Sequence, residues 1–109
     1  MKLTPALLEA TYNFLCETPP FRNWPALPVE VGFIVVKDKK VRGYQRGRVI
    51  GISEGCIGRV DALIATMAHE MIHLYQAEKK TATRAEHNAE FYRLAKIVCR
   101  HHGYDPLLF

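Results

Sequence analysis

Cysteine is scarce in this chain and poorly placed for bonding. Cys16, Cys56 and Cys99 are odd in number and form no CxxC pair. This excludes a disulfide framework and a zinc ribbon, and reads as three reduced packing residues. No apolar run approaches the roughly 20 residues that a membrane-spanning helix needs. The N-terminal leucines are interrupted by Pro5, Glu9 and Asn13, so there is no signal-like core, no membrane partner is expected, and the setting should be cytoplasmic. Phosphate-binding glycine patterns are absent too. Gly43, Gly47 and Gly51 fit no nucleotide loop and read as bulges or close backbone approaches. With no repeat, low-complexity segment or linker, the 109 residues suit one domain, 1–109.

What charge there is lies unevenly. The net charge is only +4, yet Lys37, Lys39, Lys40, Arg42, Arg46 and Arg48 fall within twelve residues that contain one acid, Asp38. Such a patch suits an anionic partner, with nucleic acid the first candidate. It also suits a solubilising turn on an exposed sheet edge.

Thr4 and Pro5 open a first helix as cap and first-turn residue, with Leu7, Leu8, Thr11, Phe14 and Leu15 as its apolar stripe. Four prolines between Pro19 and Pro28 predict an extended connection that tucks Phe21 and Trp24 into the core. Val29 to Lys37, Val41 to Gln45 and Arg48 to Ser53 read as strands, joined at Asp38-Lys39-Lys40 and Arg46-Gly47. A three-stranded antiparallel meander is the economical arrangement. A long helix follows, with Asp61 as its expected cap and Lys79-Lys80 at its end. Thr83 and Glu86 fit a capping box for a last helix that runs to His102 and stops at Gly103. The expected class is α+β: helix, meander, long helix, final helix.

The long helix carries His69-Glu70-Met71-Ile72-His73, an HExxH pattern. At about 100° per residue, His69 and His73 share one face and can bind one metal ion, with Glu70 near enough to activate water. Leu63, Met67, Met71 and Leu74 form the opposite, apolar arc, while Ala62, Ala65 and Thr66 leave room beside the histidines. A catalytic zinc site needs a third protein ligand. Position 79 is Lys, which excludes the metzincin pattern. Glu86, His87, Glu90, His101 and His102 remain as candidates. His87 shares the inward stripe of Phe91, Leu94, Ala95 and Val98, whereas Glu86 and Glu90 fall on its flank, so His87 is the best third ligand. The alternative for His87 is a core histidine satisfied by the backbone.

From Val31 to Ala95 the chain resembles a SprT-like metalloprotease domain, the family that includes Spartan. The resemblance rests on Val49-Ile50-Gly51-Ile52-Ser53, on His69-Glu70-Met71-Ile72-His73, and on His87-Asn88-Ala89-Glu90-Phe91. It implies a zincin-like fold, zinc held by His69, His73 and His87, and Glu70 as catalytic acid/base. Asn88 stands where the family commonly has glycine, and is an alternative cap to Thr83. The stretch has no counterpart of the bacterial members' C-terminal zinc ribbon, so the bare catalytic domain is expected.

The function implied is a zinc endopeptidase acting on protein substrates, with proteins bound or crosslinked to DNA suggested by the family. The basic residues from Lys37 to Arg48 would then contact DNA. Two other readings remain. One is a non-catalytic nucleic-acid-binding module with structural zinc, against which Glu70 argues. The other is a small zinc hydrolase of non-peptide substrates. Tyr44 and Tyr104 are candidates, by residue type alone, to stabilise an oxyanion.

Overall fold

A computed structural model describes residues 2–37, 40–55 and 59–109. The Asp38-Lys39 part of the expected turn, and Cys56, lie outside the described residues. The architecture is α+β, with three helices and a three-stranded mixed sheet.

Helix α1 spans Pro5–Cys16, and the Thr4 hydroxyl accepts from the Leu7 amide at 3.1 Å, as its cap position requires. Its buried face is Leu8, Thr11, Tyr12 and Leu15, a 3-4 spacing that displaces Phe14 to the surface. The proline-rich connection is not wholly irregular, because Phe21–Asn23 forms one turn of 3-10 helix. Phe21 and Trp24 are buried as expected. Trp24 stacks on Tyr75 at 4.3 Å, so this segment supports the back of the long helix.

Strands β1 (Gly32–Val36), β2 (Gly43–Arg46) and β3 (Val49–Ser53) run up, down and up, but their lateral order is β1-β3-β2. β1 pairs parallel to β3, with Gly32 opposite Val49, and β2 pairs antiparallel to it. The expected meander is therefore corrected to a mixed sheet. The physical reason is burial. Ile50 and Ile52 of β3 are wholly enclosed, which favours the central place, while β1 and β2 keep exposed residues and take the edges. Val29, expected in the first strand, precedes it and is exposed. The β2–β3 turn forms at Arg46-Gly47-Arg48, where Gly47 takes φ +55° in the first central position of a two-residue hairpin.

Helix α2 (Val60–Lys79) packs against α1, β2, β3 and the final helix α3 (Ala89–His102). Arg59, not Asp61, occupies the α2 cap position. Asp61 lies inside the first turn and accepts from the Ala62 amide at 3.0 Å. Lys80 closes α2 with a left-handed φ of 61°. Helix α3 starts later than the Thr83 capping box implied. Asn88 caps it, its side-chain oxygen accepting from the Phe91 amide at 2.9 Å. Gly103, at φ 77°, ends it as expected.

Candidate metal centre

The site begins on α2, where burial is nearly all round. Leu63, Met67, Met71 and Leu74 are enclosed on the core side. One turn apart on the other side, the His69 and His73 rings lie with centroids 5.1 Å apart. The third ring comes from the loop before α3: His87 lies 5.1 Å from His69 and 5.1 Å from His73. Each imidazole offers one nitrogen within 4.8 Å of the others, and these three form the one such group among the described residues.

A hydrogen-bonded clasp sets the position of His87. Gln76, buried on α2 one turn after His73, donates to the Asn88 side-chain oxygen at 2.9 Å and to Glu90 at 3.0 Å. The Asn88 amide donates in turn to the Thr81 carbonyl at 3.1 Å, and Thr81 donates its hydroxyl to Glu90. The Asn88 backbone is extended at φ −85°, so no glycine conformation is needed there. Its side chain caps α3 and ties the loop to α2, holding the preceding residue over the two α2 histidines.

This network also accounts for the other candidates. Glu90 faces Thr81, Gln76 and Lys79 rather than the imidazoles, and the Thr81 hydroxyl and Gln76 amide hold its carboxyl below the usual range. Glu86 is exposed and borders the cleft, outside the three-histidine group. His101 is exposed at the end of α3, and His102 sits 3.2 Å from the Thr18 hydroxyl.

Phe91 forms the floor. Its ring lies 4.3, 4.7 and 5.0 Å from His87, His73 and His69. Burial lowers His69 to about 4, helped by His73 and His87, and lowers His73 to about 4, helped by His87. Both are therefore neutral at pH 7 with lone pairs available. The Nε2 of His87 is buried and has no hydrogen-bond partner. A buried, unpaired nitrogen among neutral imidazoles is a donor set that fits a cation such as zinc. Burial, then the charge of Glu86, pushes Glu70 up to about 8.

His69 and Glu70 open onto a cleft of about 260 Å³, walled by Val41, Arg42 and Gly43, by Ala65 and Thr66, and by Leu108 and Phe109. Phe109 lies 5.4 Å from the His69 ring and its backbone accepts a hydrogen bond from it. Gly43 is what lets β2 come so close to α2. A Cβ there would stand 2.8 Å from the Gly51 carbonyl oxygen and 3.3 Å from the Thr66 methyl.

Five of the six basic candidates fall among the described residues, and their surroundings differ. Lys37, Lys40 and Arg46 are exposed, and Arg46 lies over the Tyr44 ring. Arg48 pairs with Glu78 at 2.7 Å, Arg42 joins the cleft, and Lys39 is outside the described residues. Sequence reasoning missed Gln76, the cleft roles of Arg42, Leu108 and Phe109, and the use of Phe91 as a floor. Only Gln76 left a local signal, a polar residue one helical turn after His73.

The described helices include none long and apolar enough to cross a membrane. No curated protein and no solved structure matches the chain significantly. A family model does: residues 28–106 match the SprT-like family, so the chain belongs to that family of zinc-associated, metallopeptidase-like domains.

Proposed function

We propose that this chain is a zinc-dependent endopeptidase of zincin-like design, with His69, His73 and His87 as metal ligands and Glu70 as general base and acid. The observation that carries this reading is the convergence of three imidazoles beside a buried carboxyl at the end of an open cleft. A structural metal site has no use for that carboxyl. When bound, zinc supplies Lewis acidity that activates water and polarises the scissile carbonyl. Glu70 takes the proton of the attacking water and delivers it to the departing amine, a task for which the charge of a bound cation would favour its ionised form.

The edge of β2 orients the substrate. The Arg42 carbonyl accepts from the Ser53 amide at 2.8 Å, which makes 42 and 53 a hydrogen-bonded pair. The next pair, Gly43 with Ile52, is then non-hydrogen-bonded, so the Gly43 amide and carbonyl face away from β3. An extended peptide can pair with these groups through its main chain, with little demand on its sequence. The substrate class is polypeptide, and the exposed Lys37, Lys40 and Arg46 favour proteins held on DNA.

The test is digestion of an unfolded protein by the zinc-loaded chain, with and without single-stranded DNA. Glu70→Gln should retain zinc and lose cleavage by several orders of magnitude, on the scale of a lost general base. Loss of zinc in that variant would place Glu70 among the ligands. Undiminished cleavage would move the chemistry elsewhere.

A further inference from the structure

Peptide hydrolysis places negative charge on the carbonyl oxygen as water adds, and that charge needs a donor aimed into the site. Tyr44 and Tyr104 do not border the cleft that His69 and Glu70 share. The Tyr44 ring covers Gly51, where an added Cβ would meet it at 2.2 Å. Tyr104 stacks between His102 at 5.8 Å and Phe109 at 5.7 Å, in the neighbouring hollow. Among the cleft residues, side-chain donors other than the histidine come from Thr66 and Arg42. Thr66 is buried on α2, against the Gly43 backbone. Arg42 is exposed, carries a permanent charge, and has no ion-pair partner among the described residues, unlike Arg48, Arg59 and Arg93. Glu86 borders the same cleft without an ion pair to it.

The geometry points to Arg42 as a catalytic residue that binds the substrate's carbonyl oxygen and stabilises the oxyanion formed there. This rests on the peptidase reading above. It also takes Arg42 out of the basic face that favours DNA. Arg42 directly precedes β2, next to the Gly43 edge proposed to hold the substrate main chain, and borders both this cleft and the neighbouring hollow. Atoms balance simply: water adds to the carbonyl carbon, the π pair moves to the oxygen facing Arg42, and it returns as the C–N bond breaks. Arg42 gives up no proton.

The experiment compares wild type, Arg42→Ala and Arg42→Lys, all zinc-loaded, on one peptide and on its phosphonamidate analogue. Melting and zinc content are recorded first. Arg42→Ala should lose about 100- to 1,000-fold in kcat, with a similar loss of phosphonamidate affinity. Peptide affinity, measured in a Glu70→Gln background, should move far less. Arg42→Lys should recover part of both losses, and it carries the test if Arg42→Ala does not fold. Wild-type kcat and phosphonamidate affinity in the variants, or a loss confined to DNA binding, would overturn the assignment of Arg42 while leaving the peptidase reading intact. A wild type that neither cleaves the peptide nor binds the phosphonamidate would overturn both.

Discussion

The Phe91 ring stacks on the His87 ring with centroids 4.3 Å apart and planes 19° from parallel. Because the same ring also touches His73 and His69, one apolar side chain dries all three imidazoles from below. Phe91 comes from the first turn of α3 and is nearly fully buried, so the packing of that helix and the shape of the site are one feature. Phe91→Ala should cost about 3–5 kcal/mol of stability. It should also loosen metal binding, measured by zinc competition with a chromophoric chelator. Phe91→Leu, which keeps an apolar floor, should lose less of both.

His87→Ala should remove most of the zinc affinity, because two imidazoles on one helix leave the ion without its third protein ligand. Glu90→Ala should keep zinc close to wild-type affinity but lower the melting temperature, since Gln76 and Thr81 lose their shared acceptor. Glu86→Ala should also keep the metal. Metal titration of the three variants separates them. A large loss from Glu90→Ala alone would invert the assignment.

The metal-free protein should be most stable near pH 6.5. His69 and His73 fall from 6.5 to about 4 on folding, so the unfolded chain binds more protons between those values, and stability drops as pH falls through that window. Glu70 rises from 4.5 to about 8, so the folded chain holds the extra proton, and stability drops as pH rises towards 8. Each group contributes a slope of up to about 1.4 kcal/mol per pH unit. Two histidines outweigh one carboxyl below pH 6.5, and the carboxyl acts alone above it. Glu70→Gln should abolish the alkaline decline in urea melts of the chelated protein and leave the acid limb in place.

Gly43→Ala should destabilise by about 1–3 kcal/mol, the usual cost of forcing a methyl group into packed surroundings. The obstruction is largely backbone, the Gly51 carbonyl oxygen at 2.8 Å, so it cannot be relieved by a rotamer change. If β2 moves away from α2 to make room, cleavage should fall while zinc affinity stays near wild type. Unchanged stability and activity would show that the strand edge has freedom to shift.

The sequence by itself determined what depends on short chain separations. His69 and His73 meet because helical geometry repeats every 3.6 residues, and the Thr4 cap and the Gly103 stop follow from local hydrogen bonding and backbone freedom. His87 was expected on the inward stripe of Phe91, Leu94 and Val98, but it lies in the loop before α3, where the Gln76–Asn88 clasp rather than helical periodicity brings it to the other two imidazoles. Tertiary structure alone decided the lateral order of the strands. Alternation of apolar residues places a strand's faces but not its neighbours, and it was the complete enclosure of Ile50 and Ile52 that set β3 between the other two. It also decided that Asn88 caps α3, because Gln76 and Thr81, from elsewhere in the chain, compete for and orient that side chain. The cleft belongs to the same class. Arg42, Glu70, Glu86 and Phe109 are far apart in sequence and border one cleft only because β2 packs against α2 across Gly43.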